Sequence, residues 1–295
     1  MRGPTVRPTL VIVGLNRSGT TAFSHALLNH PEIEVFKDPG KYVYESTGMV
    51  DFSHFFQPPL TSMTRVRVIK QSIGQYTPEL CTIPVYPMGD ERPAFLRKLH
   101  HIYLVRHPRQ IWQSWQTMTD WLNNTTDEVV TSHWRDIVRD KGIPVGWGSF
   151  SLFHLAMSYF KETFEFIRSV APESTYVLPH EDLMNRVTAQ RVMAALCDRL
   201  AISYTQDMID WRIKFGSGEQ VRLRDGFKRP LEHPERRYIH RNILASDGLG
   251  RQPLKPSLNE TAPWPDRAAG KELEDAYRVM LQHSRGSHSL LQGEA

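Results

Sequence analysis

Val11-Ile-Val-Gly-Leu-Asn-Arg-Ser-Gly-Thr-Thr21 is the stretch of this chain that decides its fold. An apolar run stops at Gly14, a short turn follows, and an amphipathic helical pattern begins near Thr20. Gly14 and Gly19 stand five residues apart, which is the spacing of a phosphate-binding loop. Such a loop directs backbone N–H groups and the positive end of a helix dipole at a phosphate. The stretch therefore predicts a strand, a phosphate-binding loop and a helix, in that order.

This loop differs from the loop of nucleoside triphosphatases. Their motif continues Gly-Lys-Ser/Thr, and its lysine reaches the β and γ phosphates. Here the continuation is Gly19-Thr20-Thr21, and the cation stands earlier, at Arg17. This order indicates a loop that binds one phosphate beside a cation. The first alternative function is that of a P-loop kinase or NTPase. Magnesium-dependent ATP turnover would favour this alternative.

Arg17-Ser-Gly-Thr-Thr21 resembles the 5′-phosphosulfate loop of the sulfotransferases that use 3′-phosphoadenosine 5′-phosphosulfate (PAPS), in the Arg-Ser form of tyrosylprotein and many bacterial members. Downstream, an apolar strand ends at Arg106, Pro108 opens a helix, and Ser114 follows within it. This resembles the family's 3′-phosphate motif, because a guanidinium fork and a hydroxyl suit a phosphate dianion. The resemblance implies that the co-substrate is bound by Arg17, Ser18, Gly19, Thr20, Thr21, Arg106 and Ser114.

A third stretch, Thr175-Tyr-Val-Leu-Pro-His-Glu-Asp-Leu183, is similar to the family's Tyr-Glu-Asp-Leu strand and loop. We interpret its two acids as helix-start residues that stabilise the helix dipole. Strands alternate with helices along the chain, which predicts an α/β fold: a three-layer, P-loop-type parallel sheet flanked by helices on both faces. Predicted strands lie at 9–13, 33–36, 65–70, 101–105 and 175–178, and predicted helices at 20–28, 109–122, 188–200, 271–283 and after a Ser149 cap.

The chain of 295 residues, 40% of them hydrophobic, suits one large α/β domain or two small ones. We predict a single domain over 1–295 with a core at about 9–200. Residues 212–241 hold nine Lys/Arg and four acids, a net charge of +5, whereas the rest of the chain has −1. In the family a basic C-terminal loop closes over the nucleotide, and the resemblance implies this role for 212–241. The alternative is a solvated loop; a nucleic-acid partner is not expected.

Sulfuryl transfer requires the acceptor oxygen, the sulfur and the leaving phosphate oxygen in line, with cations for the growing charge and a base for the acceptor proton. We assign the leaving-group cation to Arg17. Lys70 matches the family's third-strand lysine, but Ser72 stands where cytosolic members carry their catalytic histidine. The tyrosylprotein and heparan-type relatives use a glutamate after the first helix, and an ungapped count places it on Asp38.

The predicted catalytic residues are therefore Asp38 as the general base, Arg17 and Lys70. Glu45 and His54 are the reserve candidates for the base. The alternative interpretation of Asp38 is a turn residue before a proline. If Asp38 proves dispensable, a non-catalytic nucleotide-binding protein of the same fold is the second alternative function.

The expected partner is a small-molecule or carrier-bound hydroxyl acceptor. Five tryptophans that follow the 3′-phosphate motif favour a lipophilic or aromatic one: Trp112, Trp115, Trp121, Trp134 and Trp147. No metal is expected, because the thirteen histidines show no ligand spacing. Two cysteines form no disulfide framework, and no signal peptide or anchor is visible. We therefore expect a cytoplasmic protein without membrane insertion, and the sequence indicates no oligomeric state.

Overall fold

The structure is a computed structural model that describes residues 7–39, 57–74, 78–86, 92–128, 131, 149–215, 222–225, 234–250, 263–285 and 290. Its strands pair in the spatial order β5-β4-β1-β3-β2-β6, and every pair is parallel. The strands are β1 (Thr9–Leu15), β2 (Ile33–Lys37), β3 (Val66–Ile73), β4 (His100–Val105), β5 (Thr175–Pro179) and β6 (Leu223–Asp225). The predicted α/β fold with a parallel sheet is confirmed.

Helices connect the strands, and the starts of several follow local sequence signals. Pro108 opens its helix, and the Ser149 hydroxyl accepts from the Leu152 N–H at 3.2 Å, as predicted. The helices are α1 (Thr20–Leu28), α2 (Pro78–Cys81), α3 (Arg92–Leu96), α4 (Pro108–Asn124), α5 (Phe150–Val170), α6 (His180–Met184), α7 (Arg186–Arg199), α8 (Pro234–Leu244) and α9 (Arg267–Arg285).

The sheet is buried on both faces because successive residues of each strand point to opposite sides. In β1, Leu10 and Ile12 join the core cluster that contains the apolar side chains of α1 and α7. Val11 and Val13 join the opposite cluster, which contains side chains of α4, α5 and α9. Helices therefore cover both faces, as the three-layer prediction required.

The sequence patterns missed the structure of the basic segment. Part of it forms β6, which pairs with β2, and another part forms α8. Arg222 explains the position of β6: its buried guanidinium donates to the carbonyl oxygens of Leu28 and Ile33, at 2.8 and 3.0 Å, and to that of His30. These partners lie about 190 residues earlier in the chain, so no local pattern predicts the contact.

A buried ion pair links β2 to β3. Glu34 accepts from Arg67 Nε at 2.9 Å and from Arg67 Nη2 at 2.8 Å, and both side chains are almost fully buried. The Glu34 carboxylate also accepts from the Leu60 N–H at 2.9 Å. Lys37 lies three residues after Glu34 and ends β2, and the chain then enters the candidate site.

Both cysteines are buried, and they form no disulfide. The Cys197 thiol donates to the Met208 sulfur at 3.6 Å, and burial raises the pKa of this thiol to about 12. No helix in the described part of the chain combines the length and the apolar character that a membrane crossing needs.

Candidate active site

The loop between β1 and α1 has the conformation of an anion-binding turn. Arg17 and Gly19 both adopt positive φ angles, 76° and 99°. A Cβ on Gly14 would lie 2.6 Å from Thr20 Cγ2 and 2.7 Å from Ser18 Oγ. A Cβ on Gly19 would lie 2.6 Å from the His180 ring. Both glycines are therefore required by close approach, and Gly19 also by its backbone conformation.

Ser18 lies inside this loop. Its side chain is fully buried, and its hydroxyl has no hydrogen-bond partner among the described residues. A buried hydroxyl without a partner costs about 1–3 kcal/mol, so a bound water, ion or ligand that satisfies it stabilises the loop. The loop therefore presents a polar atom that a phosphate oxygen would satisfy.

The two predicted phosphate motifs are in direct contact. Arg17 Nε donates to Ser114 Oγ at 3.0 Å, and Arg106 Nη1 donates to the Arg17 carbonyl oxygen at 2.8 Å. Gln110, in the first turn of α4, accepts from Arg106 Nε at 3.0 Å. The loop after β1 and the strand end of β4 therefore form one polar cluster, because β4 is the parallel neighbour of β1.

This cluster is strongly cationic. Burial, followed by the charges of Arg241 and Arg106, lowers the pKa of Arg17 to about 10. Burial also lowers the pKa of Arg106, and the negative charge of Glu181 opposes this shift. Arg17 nevertheless stays protonated at neutral pH. Several guanidinium groups held together in a partly buried site favour the binding of an anion.

His180 is a site residue to which the sequence analysis assigned no role. It begins α6 at the carboxyl end of β5, and its ring packs against the backbone of Gly19. Burial, and then the charge of Arg106, lowers the pKa of His180 to about 3, so its imidazole is neutral at physiological pH. Glu181 and Asp182 occupy the first turn of α6, as predicted. The only sequence signal for His180 was its place in the strand-end motif.

Asp38 lies at the same edge of the sheet, just after β2. It is buried, with a left-handed φ of 47°. Asp38 Oδ2 accepts from Lys70 Nζ at 2.6 Å, and Oδ1 accepts from the Ser72 N–H at 2.7 Å. Ser72 is the register partner of Gly14, where the loop begins. The structure thus brings Asp38 and Lys70 together, one strand away from the loop; the reserve candidates Glu45 and His54 lie outside the described residues.

Most of the basic residues that the structure describes in 212–241 form ion pairs or hydrogen bonds with other parts of the fold. Arg212 pairs with Asp207, Lys214 with Asp247, and Arg224 with Gln57 and Pro58. Within the described part of this segment, two residues of α8 act electrostatically on Arg17: Arg241 lowers its pKa, and Tyr238 has a smaller, opposite effect. The sequence analysis did not single out Arg241, because its position depends on how α8 packs.

The tryptophans divide between the core and the site. Trp112 and Trp115 are buried against Phe153, so they belong to the core. Trp115 Nε1 also donates to the carbonyl oxygen of Asn16 at 3.1 Å and so supports the loop. Trp121 stacks on Tyr238 of α8. Trp134 and Trp147 lie outside the described residues. Over the residues that the structure describes, no three His, Cys, Asp or Glu side chains group as a metal site.

Comparison with family models finds no match, and no curated protein matches the chain. Three solved structures similar to this one are sulfotransferases. A sulfotransferase domain from the Synechococcus PCC 7002 olefin synthase has 14% identity and a TM-score of 0.47, over 94% of this chain and 97% of that one. A sulfotransferase domain from the curacin biosynthetic pathway has 14% identity and a TM-score of 0.46, over 92% and 98%.

The third is mouse sulfotransferase SULT7A1 complexed with PAP, with 12% identity and a TM-score of 0.46, over 96% of this chain and 87% of that one. These proteins are of the same kind as the family that the loop sequence resembles.

Proposed function

We propose that the protein is a PAPS-dependent sulfotransferase, which transfers a sulfuryl group to a hydroxyl acceptor by in-line displacement. The contact between the two phosphate motifs carries this proposal. A phosphate loop, a strand-end arginine and a helix hydroxyl meet around Arg17, through bonds of 2.8 and 3.0 Å. Such a cluster suits a ligand that carries two phosphates close together.

A 3′,5′-bisphosphate nucleotide is such a ligand, because both phosphates are attached to one ribose. The loop offers amides and the unpartnered Ser18 hydroxyl for the 5′ group, in a turn that a Cβ at Gly14 or Gly19 would obstruct. Arg106 and Ser114 offer a fork and a hydroxyl for the 3′ group. When bound, PAPS supplies the activated sulfuryl group. The residues present fit this co-substrate.

Three side chains have proposed catalytic roles. Arg17 stabilises the negative charge that grows on the leaving phosphate oxygen. Asp38 accepts the proton of the acceptor hydroxyl. Lys70 orients Asp38 through their 2.6 Å ion pair. The bonds from Lys70 Nζ and the Ser72 N–H hold the Asp38 carboxylate in one orientation at the sheet edge.

A second candidate function is non-catalytic binding of the same nucleotide. One observation favours it: both carboxylate oxygens of Asp38 already accept hydrogen bonds from the protein. In that case the Asp38–Lys70 pair would only stabilise the sheet edge. For a catalytic protein we propose a small-molecule or carrier-bound hydroxyl acceptor and a cytoplasmic setting.

Two measurements test the proposal. First, the protein is incubated with labelled PAPS and panels of alcohols, phenols, sugars and peptides, and transfer of the label is followed. Second, calorimetry compares adenosine 3′,5′-bisphosphate with AMP. The 3′-phosphate should improve binding by about 2–4 kcal/mol, or roughly 30- to 1,000-fold. Equal affinities would contradict the assignment of Arg106 and Ser114 to the 3′-phosphate. Binding of the nucleotide without transfer to any acceptor would favour the second candidate function, non-catalytic binding.

A further inference from the structure

Asn16 joins the phosphate loop to the end of β3. Its N–H donates to the carbonyl oxygen of Ile73 at 2.8 Å, which extends the β1–β3 pairing beyond the last residue of β1. Its side-chain Nδ2 donates to the carbonyl oxygen of Gly74, the next residue after β3. The backbone turns away at Arg17, whose φ is 76°. The side chain of Asn16 therefore continues the link to β3 where the backbone pairing stops.

Trp115 of α4 packs on the same junction. Its Nε1 donates to the carbonyl oxygen of Asn16 at 3.1 Å, and its side chain is buried. Its ring also lies against Gly74, because a Cβ on Gly74 would be 2.8 Å from Trp115 Cζ2. Gly74 has a left-handed φ of 93°, which glycine adopts without strain. The loop, the end of β3 and α4 therefore meet in one packed junction.

This junction lies between the two ends of the proposed reaction. On one side, Arg17 follows Asn16 directly in the chain. On the other side, Gly74 follows Ser72 by two residues, and the Ser72 N–H donates to Asp38 Oδ1 at 2.7 Å. A continuous path of covalent and hydrogen bonds thus leads from the proposed leaving-group cation to the proposed base. Asn16 is the residue at which this path crosses from the loop to β3.

In-line transfer requires the leaving oxygen at Arg17 and the acceptor oxygen at Asp38 to be held at a fixed separation. A misplacement of about 1 Å can lower the rate of an enzyme about 10²-fold. We infer that Asn16 is a positioning residue, which sets the distance between Arg17 and Asp38 through its side-chain bond to Gly74. This inference rests on the proposed function.

The relative turnover of two acceptors tests this role. A weakly acidic alcohol needs the base, whereas an acidic phenol needs little help from it. Asn16→Ala should therefore lower turnover of the alcohol about 10- to 100-fold more than turnover of the phenol. This ratio does not depend on how much of the protein is folded, because both acceptors meet the same preparation. An alcohol-to-phenol ratio equal to that of the parent protein would overturn the inference.

Nucleotide affinity separates positioning from binding. Calorimetry with adenosine 3′,5′-bisphosphate should show that Asn16→Ala binds within about threefold of the parent protein, since the loop keeps its amides and the Ser18 hydroxyl. A large loss of affinity without a change in the acceptor ratio would show that Asn16 shapes the phosphate loop instead. That result would also overturn the inference.

Asn29 provides a matched control at the opposite end of α1. Its Nδ2 donates to the His25 carbonyl oxygen at 3.0 Å, and its Oδ1 accepts from the Ile213 N–H at 2.7 Å. Asn29→Ala removes a comparable set of asparagine bonds between distant segments. It should lower the temperature of thermal unfolding and keep the acceptor ratio of the parent protein. A ratio that falls as far as in Asn16→Ala would mean that the effect is not specific to the junction.

Trp115→Phe repeats the test from α4. It removes the Nε1 donor to Asn16 but keeps an aromatic ring against Gly74, so the acceptor ratio should fall in the same direction as in Asn16→Ala. An unchanged ratio in both variants would reject the junction. If the parent protein transfers label to neither acceptor, the proposed function fails. If Asp38→Asn leaves the ratio unchanged, the assignment of the base fails. These two outcomes are distinct from the failure of Asn16.

Discussion

At the residue scale, Asp38 decides between the two candidate functions. Asp38→Asn should bind adenosine 3′,5′-bisphosphate normally and lose about 10²- to 10⁴-fold in turnover, because a positioned general base contributes this much. Asp38→Glu should retain more activity, since it keeps a carboxylate. Label transfer from PAPS measures the loss, with a weakly acidic alcohol as acceptor, because an acidic phenol needs little help from a base.

The substitution also breaks a buried ion pair, so stability must be separated from chemistry. Glu34→Gln breaks the neighbouring buried pair on β2 and is the matched control. It should lower the free energy of unfolding comparably while leaving turnover per folded molecule near the parent value. If Asp38→Asn turns over the alcohol at the parent rate, the base lies elsewhere, and Glu45 or His54 is tested next.

Substitutions of Arg17 and Arg106 should affect turnover and nucleotide affinity to different degrees. Arg17→Ala should lower kcat by about 10²- to 10³-fold and change bisphosphate affinity less, because the leaving-group charge grows toward the transition state. Arg106→Ala should chiefly weaken affinity. Kinetics and calorimetry on both variants measure the split. Arg109→Ala is the control, because Arg109 pairs with Glu274 of α9 at 2.6 Å. Loss of binding with intact turnover in Arg17→Ala would contradict its catalytic role.

At the element scale, Arg222 joins β6 to the end of α1. Arg222→Ala should lower the free energy of unfolding by about 2–4 kcal/mol, since it leaves buried carbonyl groups of Leu28 and Ile33 without their charged donor. Arg212→Ala, at an exposed surface pair, should cost less than about 1 kcal/mol. Urea unfolding measures both values, and equal losses would mean that Arg222 does not hold the strand.

The elements also show what the sequence could predict. Helix α1 was predicted with its observed bounds, because a loop glycine begins it and an Asn-His-Pro stretch follows it. The predictions for the phosphate loop, Arg106 and Ser114 each rested on a local motif, which a sequence displays directly. By contrast, β6, α8 and Arg241 depend on contacts between distant segments, which no period or spacing encodes. An ungapped count along the sequence singled out Asp38. Its pairing with Lys70 depends on the register between β2 and β3, which the sequence does not display.

At the scale of the whole molecule, buried histidines should make stability depend on pH. Burial lowers the pKa of His25 and of His101 to about 4, from an ordinary value near 6.5. Between pH 6.5 and 4 the unfolded chain therefore binds more protons than the folded protein. Stability is full above pH 6.5 and is lost as the pH falls through this window, by about 1–3 kcal/mol for each histidine.

His101 offers a direct test of this dependence. Its Nδ1 lies 3.0 Å from the Tyr86 hydroxyl and its Nε2 lies 2.9 Å from the Leu96 carbonyl oxygen, contacts that suit a neutral ring. His101→Gln should be less stable at pH 7.5 but lose less stability between pH 6.5 and 4.5. Urea unfolding across these pH values measures both slopes. Parallel curves would show that protonation of His101 contributes nothing.

The pairing of β6 with β2 has a consequence for synthesis of the chain. A ribosome makes β2 before β6, and residues 223–225 emerge nearly 190 residues later. Throughout that interval none of the other described strands pairs with the outer edge of β2, whose backbone can then pair with a neighbouring polypeptide. Glu34 and Lys37 place charged groups on this five-residue strand, and such residues discourage pairing with a foreign strand. We therefore expect that these two charged residues, which are buried in the folded protein, also reduce aggregation of the unfinished chain.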